Sequence, residues 1–340
     1  MRGQLIEKRN IDYLRVVLKF GGVLGITPWY SFEKRKLVKT NLYKLYAITL
    51  GVIYAILVAV TVYFRIKNFI LRFPTEVFLD CFSDAALTLL ILIRLFKSAT
   101  TVNQKKMEKL MRSLFELDDR LRVKQENVVL HKCYVELVIG HLLFVTYYLF
   151  EIHICLSTLG SLYFYQYKYE DINMLLLDIQ KRYIPLLQNI DKYTAVDLIT
   201  HRQQYIKLGE IVELFNELYG YAILIITLHS VLQILNCANF GLSLLINNTP
   251  TSVEIFTSNI YFGLLLVGIS MYLIMSCDAT CAEGRRVLRI CARLQEIFPP
   301  HSQSREEIVH FVTTAKIYQP RFVSAGFFEV NSYTVQWIVK

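Results

Sequence analysis

The chain has 340 residues, 54% of them hydrophobic and 19% charged, with 37 Lys and Arg against 28 Asp and Glu for a net charge of +9. Soluble domains run nearer 25% charged, so this composition lacks the polar surface to cover a water-facing globule, and the two or three soluble domains that the length alone would allow are excluded. The apolar residues cluster instead into runs, several of them long enough for the about 20 residues a helix needs to cross ~30 Å of hydrocarbon. The expected class is an all-α integral membrane protein.

In chain order, residues 1–42 interleave charges with apolar residues and hold no uninterrupted hydrophobic core of a leader, so no cleaved signal peptide is expected. The first span is 43–64, "YKLYAITLGVIYAILVAVTVYF", without a charge in its middle. Span two is 77–96, carrying Asp80 and Asp84 one turn apart, with Arg94 near its end. Residues 103–126 follow as an amphipathic helix, with Met107, Leu110, Leu114, Leu117 and Leu121 at three- and four-residue spacing. The third span, 134–156, holds Tyr147, Tyr148, Glu151 and His153. Span four, 159–179, is weakly apolar and carries Lys168, Glu170, Asp171 and Asp178. An amphipathic run at 205–218 continues without Pro into the fifth span, 219–246, and 255–276 is the sixth. The basic stretch "CAEGRRVLRICARLQEIF" prolongs that helix until Pro299-Pro300 stops it, and a polar hinge completes 277–321. The last span, 322–339, is short and interrupted by Glu329 and Asn331.

Charge arbitrates the weak fourth span. Thirty Lys and Arg fall in segments 1–42, 97–132, 181–218 and 277–321, against three in the alternate segments. Basic loops stay in the cytoplasm, so the N-terminus is expected inside, and 181–218 joins it there only if the chain recrosses between 157 and 180. Seven spans result, the fourth crossing fully or re-entrant, in a bundle with helices extending on the basic side. In a rhodopsin-type receptor the N-terminus is outside, and its Asp/Glu-Arg-Tyr and Asn-Pro-x-x-Tyr signatures are absent from this sequence. A secondary transporter is expected to break its spans at Gly or Pro in matching halves, yet none of the seven prolines lies within a span.

No HExxH, P-loop, GxSxG or GxGxxG occurs, so no enzymatic activity and no cofactor are expected. The seven cysteines show no CxxC spacing, and His141 and His153 have no ligand-type spacing, so no metal site is read. The net positive charge is read as cytoplasmic loops rather than as a nucleic-acid surface. Asn247-Asn248-Thr249 is a glycosylation sequon weakened by Pro250. Ionisable and amide groups in a bilayer are expensive and face a cavity or a partner. Glu151, Gln233, Asn236 and Tyr261 fall in the outer half of their spans and Tyr148 near mid-depth, and these five are the candidate ligand-binding residues of a cavity for a small amphipathic molecule. Interhelical hydrogen bonding is the alternative role for each.

The stretches "CDATCAEGRRVLRICARL" and "FVSAGFFEVN", with "RQQYIKLGEIVELFNELYGYAIL" and "ITPWYSFEKRK", resemble those of the insect gustatory receptor family. The resemblance is loose over nearly the whole chain and more specific over 200–331. It implies a ligand-gated nonselective cation channel of sensory neurons, opened by small-molecule tastants, built as a homo- or hetero-tetramer in the plasma membrane. Its ligand pocket would lie among spans two to six and its seventh helices would line the pore. The family's Thr-Tyr, five apolar residues and Gln-Phe are matched here only by Ser332-Tyr333 and Gln336-Trp337 with two residues between them. Tyr333 and Gln336 are therefore the candidate pore residues of a seventh span expected to be shortened.

Overall fold

The computed structural model describes residues 29–31, 34, 36–38, 41–69, 101–121, 195–247 and 253–331, with scattered positions in 78–93 and 176–180. Spans 134–156 and 159–179, apart from Leu176 and Ile179, lie outside the described residues. Two compact units divide the chain. One draws on Met1–Gln104, Gln125–Asp171 and Ile225–Met271, the other on Lys105–Lys124, Ile172–Leu224 and Tyr272–Lys340.

In the first unit a short antiparallel hairpin, β1 (Tyr30–Ser31) and β2 (Lys36–Leu37), pairs Tyr30 with Leu37 and buries both. It precedes α1 (Asn41–Phe69), which contains the whole of the expected first span. Trp29 packs on Tyr43 at 5.8 Å between ring centroids, which fastens the hairpin to the start of α1. Along α1, Tyr43, Ala47 and Gly51 are buried at four-residue spacing. Leu45, Ile48, Val52, Ile56, Val60 and Tyr63 are exposed at three- and four-residue spacing. A stripe of large apolar side chains turned outward would be ruinous in water and is ordinary in lipid. The same holds for Phe78, Phe82, Leu89 and Ile93, helical and exposed in the expected second span.

Two long helices follow later in the chain, α3 (Ala195–Asn247) and α4 (Val253–Ile297), both containing stretches long and apolar enough to cross a membrane. Neither amphipathic run is a linker. Residues 205–218 are continuous with the fifth span and 277–297 with the sixth, as their unbroken periodicity requires.

The second unit is built around α2 (Thr101–Leu121), whose Leu110, Met111, Leu114 and Leu117 are buried while Lys105, Lys109, Arg112 and Glu116 face out. Lys106 pairs with Glu217 at 2.9 Å and Glu116 with Lys207 at 2.6 Å. Ten residues along α2 thus match ten in the opposite sense along α3, so the two run antiparallel. Pro299 and Pro300 end α4, since neither can continue a helical ladder. His301, in the left-handed region at φ 65, turns the chain. Ser302 then caps α5 (Gln303–Ile317) by accepting the Arg305 N–H on its Oγ. The stretch read from sequence as a polar hinge is thus largely a helix. It buries Ile308, Phe311, Val312 and Ala315, and Phe311 meets Tyr205 of α3 edge-on at 5.8 Å.

A correction concerns the last span. Residues 322–331, taken as its beginning, form a second antiparallel hairpin, β3 (Val323–Ser324) with β4 (Phe328–Glu329). Ala325 and Gly326 both have positive φ, 51° and 84°, and Phe327 N–H closes the turn on Ser324 O at 2.9 Å. Such a turn matches strand twist and cannot be helical. A helix therefore cannot start at Phe322; residues 332–340 lie outside the described residues.

Candidate functional site

Residues 225–247 of α3 reverse the usual order of a helix. Leu228, Leu235 and Leu242, seven apart, are exposed, whereas Thr227, His229, Ser230, Gln233 and Asn236 are buried. Gln233 and Asn236, only 6% and 5% exposed, stand three residues apart and so share a face with His229. Asn239 continues this polar seam, and its Nδ2 has no hydrogen-bond partner among the described residues.

The flank of that face packs on α4 through small residues. A Cβ on Gly263 would come within 2.9 Å of Cys237 Sγ, so any larger residue there would force the thiol to shift. Seven residues along each helix in opposite senses, Ser230 and Ser270 share a hydrogen bond of 2.6 Å. Ser230 Oγ also lies 2.9 Å from Ile226 O. Both bonds are satisfied if Ser230 donates to that carbonyl and accepts from Ser270. Small residues at such crossings let transmembrane helices pack by close contact, with hydroxyl pairs adding a modest increment.

Of the residues chosen from sequence, Gln233 and Asn236 are therefore buried together on one helix face. Tyr261 is half-buried on α4, two residues before Gly263 and so near the level of Cys237. Tyr148 and Glu151 lie outside the described residues, as do Tyr333 and Gln336. His229, Ser230 and Ser270 were not chosen from sequence. The seven-residue spacing shared by Ser230 with Cys237 and Gly263 with Ser270 was the available signal.

A second cluster surrounds residues 318–331, within the second unit. Asn216 of α3 donates from Nδ2 to Arg321 O at 2.7 Å and accepts the Val323 N–H on Oδ1 at 3.1 Å. Ser324 Oγ reaches Gly220 O at 3.5 Å, and Phe322 is buried edge-on against Phe215, centroids 5.4 Å apart. Beside these, Asp278, Cys281, Arg285, Arg321, Glu329 and Asn331 line a polar cleft of about 270 Å³. Two loose ion pairs lie in its walls, Arg285–Asp278 within α4 at 3.4 Å and Arg321–Glu329 within the hairpin segment at 3.9 Å. Burial pushes the Cys281 thiol up to about 11, against the opposing pull of the Phe322 N–H that it accepts. Burial likewise takes Cys291 to about 12, so both are neutral, unreactive thiols near pH 7.

No family model and no curated protein matches the sequence. Among solved structures, the chain is similar to the insect olfactory receptor OR5 from Machilis hrabei, with a TM-score of 0.74 and 15% identity over 98% of this chain and 96% of that one. The same receptor in complex with eugenol matches with a TM-score of 0.71 at 15% identity, over 98% and 95% of the two chains. The fold is accordingly the all-α, seven-helix membrane fold of that receptor.

Proposed function

We propose that this chain is a chemosensory receptor subunit that works as a ligand-gated, nonselective cation channel, and that its ligands are small-molecule tastants. The observation that carries the reading is agreement with an insect olfactory receptor along 98% of the chain. The gustatory assignment is supported by the sequence likeness of "CDATCAEGRRVLRICARL" and "FVSAGFFEVN", on α4 and on the second hairpin. The subunits form a tetramer, with themselves or with related receptors, in the plasma membrane of sensory neurons, with N-termini in the cytoplasm. Buried His229, Gln233 and Asn236 put donors and acceptors in apolar surroundings, where a ligand group that exchanges for one of their hydrogen bonds is strongly discriminated. We assign Tyr148, Glu151 and Tyr261 to the same pocket, and Tyr333 and Gln336 to the pore.

The test is current from cells expressing the chain, alone and with a second receptor subunit, across a panel of sugars, bitter compounds and aromatic alcohols. Ligand-evoked cation current that Gln233→Leu and Asn236→Leu weaken at least tenfold is the expected result. External labelling of an epitope at the N-terminus of intact cells would sink this reading and favour a G-protein-coupled topology.

A further inference from the structure

Gly209, Asn216 and Gly220 lie seven and four residues apart, so they form one stripe along α3. Each meets a successive part of the segment 318–325. A Cβ on Gly209 would stand 3.0 Å from Tyr318 Cβ, and one on Gly220 would stand 2.9 Å from Val323 O and Ala325 N. Between them Asn216 binds Arg321 O and Val323 N. The segment therefore runs parallel to α3 for eleven residues, about 16 Å of helix rise. On α4, Gly284 receives the Pro320 ring against its bare Cα, and Cys281 Sγ accepts the Phe322 N–H.

The contacts of Asn216 and Gly220 read backbone, whereas Gly209 and Gly284 make room for the Tyr318 side chain and the Pro320 ring. Asn216 satisfies a carbonyl and an amide that would otherwise compete for water, and two glycines remove the Cβ atoms that would hold the segment away. The segment carries local strain as well: Ala325 sits at φ 51, where a non-glycine residue is disfavoured. Strain of that kind persists only where surrounding contacts over-determine the conformation. Asn331 is the last described residue, and Tyr333 follows it by two positions.

We infer that Asn216 is a positioning residue for gating: it latches 318–325 to the glycine stripe of α3, so that the helix bearing Gln233 and Asn236 sets the placement of the chain leading to Tyr333 and Gln336. The inference rests on the channel reading above. Ligand would bias α3 between two states, and the latch passes that bias on because a released segment no longer follows the helix.

The experiment measures current normalised to surface-labelled protein for the wild type, Asn216→Ala and Asn216→Asp. It also measures hydrogen exchange of peptides covering 318–331 in the purified full chain. Asn216→Ala removes both bonds, and Asn216→Asp keeps the acceptor for Val323 N–H. The expected result is faster exchange in 318–331 and at least a fivefold shift in half-maximal ligand concentration for Asn216→Ala, with Asn216→Asp between it and the wild type. If Asn216→Ala does not reach the surface, Asn216→Asp and Ser324→Ala are compared, and a graded shift is expected. Surface-normal variants with half-maximal concentration and ligand-free current within twofold of the wild type overturn the gating role. Unchanged exchange in 318–331 overturns the latch itself. A wild-type chain silent in every pairing removes the channel reading and the gating role with it, and that outcome is separate from the other two.

Discussion

Helix α3 obeys opposite rules in its two parts. Over 205–219, within the second unit, Tyr205, Leu208, Ile211, Phe215 and Tyr219 are buried, while Glu210, Glu213 and Glu217 face out. Over 228–242, within the first unit, Leu228, Leu235 and Leu242 face out, while His229, Gln233 and Asn236 are buried. Water drives the first arrangement, because apolar area removed from it is stabilising at about 25 cal/mol per Å². Lipid removes that drive, since a leucine is as comfortable among acyl chains as against another helix. What must then be hidden is the hydrogen-bonding group. One sequence of high helix propensity thus serves two solvents, with only the pattern of side chains changing along it.

The largest effect is expected where the water rule holds. Phe215 is fully buried, stacked on Tyr219 at 5.0 Å and edge-on to Phe322. Phe215→Ala should cost about 3–5 kcal/mol. The protein in nanodiscs should lose several degrees in its melting temperature, and hydrogen exchange in 318–331 should rise. A loss below about 1 kcal/mol would mean that the second unit is not a packed core.

Leu235→Asp should come next. At 56% exposure a surface leucine facing water would tolerate this change almost without cost. Facing lipid, it should oppose membrane insertion by about 2.5–3.5 kcal/mol. Cell-surface abundance, or the fraction inserted by a translocon reporter, separates the two outcomes. Normal insertion would break the contrast between the two parts of α3.

What was legible in the sequence follows the same division. The unbroken runs into α3 and out along α4 were readable because Leu, Ile and Phe at three- and four-residue spacing report a helix whatever the solvent, and Pro299-Pro300 is an unambiguous stop. Gln233 and Asn236 were readable because amides are conspicuous against an apolar background. The hairpin at 323–329 was not, because "FVSAGFFEV" is as apolar as a short span and its turn depends on Ala325 taking a positive φ that alanine rarely adopts. Helix α5 was missed because its buried face is four residues wide and bounded by charges. The Ser230–Ser270 pairing was missed because serine is common at helix surfaces, and only the partner helix gives its spacing meaning.

Ser230→Ala sharpens the contrast on a smaller scale. It removes the 2.6 Å bond to Ser270 inside the membrane fold, where such bonds average about 0.6 kcal/mol. A loss of one or two degrees in melting temperature is expected, and Ser270→Ala in the same background should add little, because the two share one interaction.

The smallest effect belongs to the ion pairs of the second unit. Lys207 and Glu116 approach to 2.6 Å, but their side chains are 25% and 49% exposed. Water and salt therefore screen them, and a double-mutant cycle with alanine should give a coupling of about 0.2–1 kcal/mol that shrinks between 0.05 and about 0.5 M salt. The Ser230–Ser270 coupling, measured in parallel, should be indifferent to salt, because no ions reach it. If both couplings fell alike with ionic strength, the serine pair would be in contact with water, and the lower half of the comparison would fail.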